Sequence, residues 1–156
     1  NLLDFLKKYV LAAGTAQVSR SAIEAQAMGW LLESDQIVFN RSELLYAAIR
    51  EAKAMSDAGY RPPRKAAFRA AGRDAMATIA AQLVNMRDGG LISAHDFHLG
   101  KTIAEVMCGG DIEPGSMVDE EWIMALERKA FVSLLTHPKT QERIMGMMQT
   151  GKPVRN

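Results

Sequence analysis

The sequence predicts an all-α protein of about six to seven helices, in an orthogonal or bundle-like array with at most one short strand. Ala, Leu and Met, which favour helices, account for 47 residues, whereas Val, Ile and Thr, which favour strands, account for 23. Apolar residues also recur at spacings of three and four, the period of one helix face. Glycine, proline and cap-forming residues divide these periodic segments from one another.

Two helices and one strand are predicted in the first forty residues. Gly14 stands where the first helix would end in a left-handed cap. Ser21, with Glu24 three residues later, matches a capping box for a short second helix that Gly29 ends. Residues 35–39 form the one plausible strand.

A longer helix is predicted to begin at Asn40 and to end before Gly59. One face of this helix is apolar and consists of Leu44, Leu45, Ala48, Ile49, Ala52 and Met55. Pro62 and Pro63 follow, and proline disfavours helix at the preceding residue. We therefore expect a helical segment over 1–60, a basic, proline-containing linker over 61–73 and a helical extension over 74–156, packed as one unit.

Four further helices are predicted in the extension. Gly72 leads into one of them, Ser93 caps the next, and Ser116 with Asp119 has the spacing of a cap pair for a third. The apolar face of that third helix is broad, which predicts that it is the central helix of the second half. Pro138 occupies the first position of a last amphipathic helix. The apolar positions predicted to face inward on the first two are Met76, Ile79, Ala80, Leu83, Val84, Phe97, Ile103, Ala104 and Met107.

Composition restricts the classes of function. The chain has 156 residues, of which 48% are hydrophobic and 24% charged, so it can bury a core without disulfides. A net charge of +1 predicts neither nucleic acid nor an anionic membrane as a partner. The longest apolar run, residues 44–49, is far below the roughly 18 residues of a membrane span. The single Cys108, without a signal-peptide pattern before it, favours a cytoplasmic location.

Four residues could carry chemistry. His95 and His98 lie in the first turn of a predicted helix, where their spacing could present two metal ligands on one face. The simpler interpretation is an exposed face on which Asp96 stabilises the helix dipole. Cys108 could act as a nucleophile if a histidine activated it, but an isolated free cysteine usually packs as a small core residue. We assign no catalytic residue and no metal ligand.

A run of basic residues is a further candidate site. Arg61, Arg64, Lys65, Arg69 and Arg73 place five cations within thirteen residues. Guanidinium groups bind phosphate in bidentate geometry, so the run could hold a nucleotide-like tail. A solvated linker is the simpler interpretation. The chain has no glycine-rich dinucleotide fingerprint, phosphate loop, metalloprotease motif or nucleophile elbow, so no self-contained active site is predicted.

Two parts of the sequence resemble known enzymes of acyl-CoA metabolism. Residues 16–31, AQVSRSAIEAQAMGWL, resemble a helical segment of the enoyl-CoA hydratase/isomerase (crotonase) superfamily. Residues 83–96, 108–131 and 139–156, the last reading KTQERIMGMMQTGKPVRN, resemble the C-terminal end of bacterial multifunctional 3-hydroxyacyl-CoA dehydrogenases. The resemblance covers nearly the whole chain.

The resemblance implies that the chain is the C-terminal helical region of a β-oxidation enzyme. In such enzymes the NAD-binding fold, the dehydrogenase residues and the crotonase oxyanion hole lie upstream, so no catalytic residue carries over. NAD and acyl-CoA are implied for the parent enzyme, and the partners are its dehydrogenase and crotonase core and further copies of itself. Arg61, Arg64, Lys65 and Arg69 are then possible contacts for a CoA phosphate.

Two other functions stay open at this point. The chain could be an independent helical protein-interaction module. It could also be a small hydrolase or lyase that uses His95, Asp96, His98 or Cys108, in which case the isolated chain would turn over substrate.

Overall fold

The computed structural model describes all 156 residues and confirms the helical fold class. The seven α-helices are α1 Leu2–Gly14, α2 Ala22–Met28, α3 Leu44–Asp57, α4 Gly72–Asp88, α5 Ala94–Cys108, α6 Glu120–Leu135 and α7 Pro138–Thr150. A single 3-10 turn, Arg41–Glu43, precedes α3, and two strands, β1 Phe68–Arg69 and β2 Met117–Val118, have two residues each.

The chain divides into two compact units. We call Asn1–Gln17 together with Lys65–Asn156 the core unit, and Val18–Arg64 the middle unit. Helix α1 therefore belongs with the C-terminal helices. The expectation from sequence had placed it in a helical segment over residues 1–60.

Helix α5 is the centre of the core unit and packs against α1, α4 and α6. The fully buried cluster consists of Val10 from α1, Ile79 from α4, and Ala104 and Cys108 from α5. Small residues on α5 allow the close approach. A Cβ atom added at Gly100 would lie 3.1 Å from a methyl carbon of Leu83 on α4. The apolar spacing had instead predicted α6 as the central helix, which is wrong because no residue of α6 is buried.

A small antiparallel ribbon joins the segment before α4 to the segment before α6. Phe68 pairs with Val118 and Arg69 with Met117. The ribbon continues into the loop after α5, where the Ala70 amide donates to the Ser116 carbonyl over 2.9 Å. The strand predicted at residues 35–39 is wrong, since these residues form turns and irregular backbone.

Several predicted helix ends are confirmed. The Ser93 hydroxyl accepts from the Asp96 amide at the start of α5, and the Ser21 hydroxyl accepts from the Glu24 amide at the start of α2. Gly29 ends α2 in the left-handed conformation, with a φ of 83°. Pro138 is the first residue of α7. Cap chemistry is local, so these positions could be identified from sequence.

Two predicted caps are wrong. Gly14 is still helical, Thr15 follows it as the cap, and Ala16 takes the left-handed conformation with a φ of 52°. Asp119 alone caps α6, where its carboxylate accepts from the Trp122 amide. The Ser116 hydroxyl instead donates to a carbonyl in its own turn. In each case a neighbouring residue satisfies the same free backbone groups.

The middle unit buries very little apolar surface. Ala25 is its one buried residue. The apolar face predicted on α3 is present, but it is uncovered, with Leu45 exposed by 72%, Leu44 by 54% and Ile49 by 46%. An amphipathic helix normally gains its stability by burying this face.

The two ends of α4 allow a matched test of backbone packing. Gly72 and Gly90 have nearly equal φ values of 71° and 73°, but only Gly72 is crowded, since an added Cβ would lie 2.6 Å from the Ile112 carbonyl oxygen. Gly90 has open space around it. We expect Gly90→Ala to lower the free energy of unfolding by about 1–2 kcal/mol through left-handed strain alone. Gly72→Ala should cost about 2–5 kcal/mol, because overpacking is added to that strain.

Urea unfolding followed by circular dichroism measures both variants. Equal losses of stability would show that the loop around Ile112 does not pack closely on the start of α4.

Candidate functional site

The three histidines of the chain meet where α5 faces the start of α7. The ring centroids lie 4.6 Å apart for His95 and His137, 5.3 Å for His98 and His137, and 6.1 Å for His95 and His98. We call these three residues the histidine cluster. Spacing on the predicted helix identified His95 and His98, but it missed His137, which follows 39 residues after His98.

His95 is buried, with 2% of its surface exposed, so the interpretation of an exposed histidine pair is wrong for this residue. Its Nε2 atom lies 3.1 Å from the Thr140 hydroxyl, and its Nδ1 atom is buried without a hydrogen-bond partner. Burial lowers the pKa of His95, and the positive charge of Arg143 and the neighbouring rings lower it further. The site therefore favours the neutral ring.

His137 forms the N-cap of α7. Its Nδ1 atom accepts a hydrogen bond from the Lys139 amide over 3.2 Å. An accepting ring nitrogen carries no proton, so the neutral ring of His137 holds its proton on Nε2. His98, by contrast, is exposed on α5.

An ion pair beside the cluster also joins α5 to α7. Arg143 lies 2.8 Å from the Asp96 carboxylate, and both side chains are mostly buried, with 20% and 31% exposed. Burial alone would raise the pKa of Asp96, but the Ser93 amide and Arg143 hold the pKa below its usual range. Asp96 also completes the capping box with Ser93. Its observed contacts are therefore structural.

The rings of the histidine cluster are stacked. The rings lie nearly parallel, at interplanar angles between 26° and 30°. No group of three or more His, Cys, Asp or Glu residues in the chain is placed to hold a metal ion.

Cys108 lies in the apolar core and is fully buried. Burial raises the pKa of its thiol, which disfavours the reactive thiolate. The interpretation of Cys108 as a small core residue is confirmed.

The structure divides the basic run between the two units. Arg61 and Arg64 belong to the middle unit, where both are exposed and without a polar contact, and Lys65, Arg69 and Arg73 belong to the core unit.

The three cations in the core unit have protein partners. Lys65 pairs with Glu121, which raises the pKa of the ammonium group. Arg73 lies 3.0 Å from the Asp111 carboxylate and 2.6 Å from that of Glu113. Arg69 donates to the Gly115 carbonyl over 3.4 Å. These contacts fasten the segment before α4 and the first turn of α4 to the loop after α5 and the start of α6.

A shallow groove of about 250 Å³ runs between α5 and α6. Its lining includes His98, Thr102 and Glu105 from α5, and Leu126, Lys129 and Ser133 from α6. The groove therefore meets the histidine cluster at His98.

None of the helices is long and apolar enough to cross a membrane.

Comparison with known proteins relates the chain to one enzyme. It is 42% identical over 141 residues to a probable 3-hydroxyacyl-CoA dehydrogenase of Bacillus subtilis (strain 168). The chain is similar to one segment of that dehydrogenase. The aligned region covers 90% of this chain but 18% of the relative, so the chain spans about a fifth of the relative's length. No family model matches the chain, and no solved structure matches it.

Proposed function

We propose that the chain is a helical, non-catalytic segment of a 3-hydroxyacyl-CoA dehydrogenase of fatty-acid β-oxidation, where it serves assembly beside a crotonase-like region. The identity of 42% over 90% of the chain with the Bacillus subtilis dehydrogenase carries this proposal. The resemblance of residues 16–31 to a helical segment of the crotonase superfamily also supports it, and these residues form α2 and its flanks.

The contacts of the chemically capable residues support a non-catalytic role. His95 and Cys108 are buried in packing contacts, and Asp96 caps α5 and pairs with Arg143. The two strands have two residues each and pair antiparallel, so they do not form the parallel βαβ unit whose first strand-to-helix turn holds a dinucleotide pyrophosphate. These residues do not fit an NAD site, and the proposal therefore assigns NAD to other parts of the enzyme.

Exposed apolar surface supports an assembly role. The chain exposes 11,758 Å². Two separate compact bodies of 109 and 47 residues, the lengths of the core and middle units, would together expose roughly 9,000 Å² by the scaling of surface with mass. The excess of roughly 2,500 Å² is the size of a large protein interface.

The exposed surface includes many large apolar side chains. On α3 the exposed residues are Leu44, Leu45, Tyr46, Ile49 and Met55, on α6 they are Trp122, Met124, Phe131, Val132 and Leu135, and on α7 they are Ile144, Met145, Met147 and Met148. Large apolar side chains exposed in this number support interaction surfaces on these helices. We infer that the enzyme core and further copies of the chain cover them.

Arg61 and Arg64 extend the proposal to the acyl-CoA site. They are the cations of the basic run without a protein partner, and guanidinium groups suit phosphate. In this proposal they contact a CoA phosphate, while Lys65 and Arg69 hold the core unit together.

Self-association of the chain tests the assembly role. We expect a molecular mass that rises with concentration in sedimentation equilibrium, and an association weakened about tenfold or more by Leu45→Glu, since the charge must be desolvated at the interface. Ala54→Glu adds the same charge on the opposite face of α3 and should leave the association unchanged. A concentration-independent monomer, or equal effects of the two variants, would contradict self-assembly through α3.

Calorimetric titration with CoA at low salt tests the phosphate contacts. The double variant Arg61→Ala/Arg64→Ala should weaken binding by about tenfold, which corresponds to losing roughly 1.4 kcal/mol of phosphate contact. Arg128→Ala/Lys129→Ala on α6 removes the same charge elsewhere and should not change the affinity. Absence of binding at millimolar CoA, or an equal loss in both double variants, would sink this part of the proposal.

A further inference from the structure

The contact between α5 and the start of α7 consists of three rings that can each take up a proton. His95 is buried, and its ring centroid lies 4.6 Å from that of His137 and 6.1 Å from that of His98. His137 is the N-cap of α7, so the same ring both caps that helix and contacts the ring of His95. Protonation here would therefore change how α7 is held, independently of the function proposed above.

The cations of α7 oppose a further positive charge on His95. Helix α7 contributes Lys139 and Arg143, both of which disfavour protonation of His95. From α6, Lys129 lines the same groove as His98, together with Glu105 of α5. The carboxylate nearest to His95 along the chain, Asp96, is already paired with Arg143.

Hydrogen bonding adds two specific costs. A proton on the buried Nδ1 of His95 would find no acceptor, and an unsatisfied buried donor is destabilising. A proton on Nδ1 of His137 would turn the acceptor of the Lys139 amide into a donor and would remove the cap of α7. The observed contacts of His95 therefore favour its neutral ring.

We propose that the histidine cluster is an acid-sensitive latch, which holds α7 against α5 when its rings are neutral and releases α7 when they take up protons. The released helix would uncover the buried ring of His95.

The pH window follows from linkage. A histidine in a released segment titrates near pH 6.5, whereas the pKa of docked His95 is lowered. Docking is therefore at full strength above about pH 6.5 and weakens as the pH falls toward the lowered pKa, by up to about tenfold per pH unit for each proton taken up. Asp96 stays ionised in this range because its pKa is also lowered, so its ion pair with Arg143 does not account for the change.

Hydrogen exchange of the complete 156-residue chain tests the latch. After correction for intrinsic exchange rates, protection of the α7 amides should fall by up to about tenfold between pH 7.5 and pH 5.5, roughly the effect of one linked proton. The amides of α4 in the core should keep their protection and serve as the internal reference.

Two variants isolate the rings. His95→Phe keeps a buried aromatic ring that cannot titrate, and His137→Asn keeps a good N-cap without an imidazole. Each should reduce the pH dependence of α7 protection, while the reference amides of α4 keep their protection. Constant α7 protection in the unmodified chain, or an undiminished pH dependence in both variants, would overturn the proposal.

The unmodified chain provides a second readout should a variant fail to fold. The Cε1 proton resonance of His95 should titrate below pH 6.5 in nuclear magnetic resonance spectra. A midpoint at or above pH 6.5 would show that docking favours the charged ring, which contradicts the latch.

Discussion

The fold depends on one narrow helix face. Gly100, Ala104 and Cys108 follow one another at intervals of four along α5, and all three are buried. Their small side chains allow α1 and α4 to approach α5 closely enough for Val10 and Ile79 to complete the core. A larger side chain on this face would separate the helices, because protein interiors have little space to absorb added volume.

Both ends of α5 then position the remaining helices. At its C-terminal end, the Gly109 carbonyl accepts from the Trp122 indole over 2.9 Å, which joins α6 to the end of α5. At its N-terminal end, Asp96 and His95 hold α7 through Arg143 and the histidine cluster. The Trp122 contact has no titrating group, whereas the contact with α7 includes the buried ring of His95, so α7 is expected to respond to acid near neutrality.

Local chemistry explains which parts of the fold could be predicted from sequence. The cap at Ser93 and the left-handed glycine at position 29 depend on residues within one turn, so spacing alone identifies them. The central position of α5 could not be predicted in the same way. Periodicity reports that a helix has an apolar face, but it does not report what covers that face, and the broad faces of α3 and α6 remain exposed.

The candidate sites follow the same division. The basic run could be located from sequence, but the partners of Lys65 and Arg73 lie 38 to 56 residues away, beyond the reach of local rules. His137 follows His98 by 39 residues, so spacing along one helix could not place it beside the other two histidines. Most of the residues that suggested chemistry therefore have structural contacts with distant parts of the chain. This supports the proposal of a non-catalytic segment.

The most direct test compares α3 in two contexts by hydrogen exchange: in the isolated chain and within the longer dehydrogenase to which the proposal assigns it. If the enzyme core or a further copy covers the apolar face of α3, its amides should exchange at least about tenfold more slowly in the intact enzyme, the change expected for about 1.4 kcal/mol of added stability. The amides of α4 and α5 serve as the reference. Equal exchange of α3 in both contexts would contradict the assembly role.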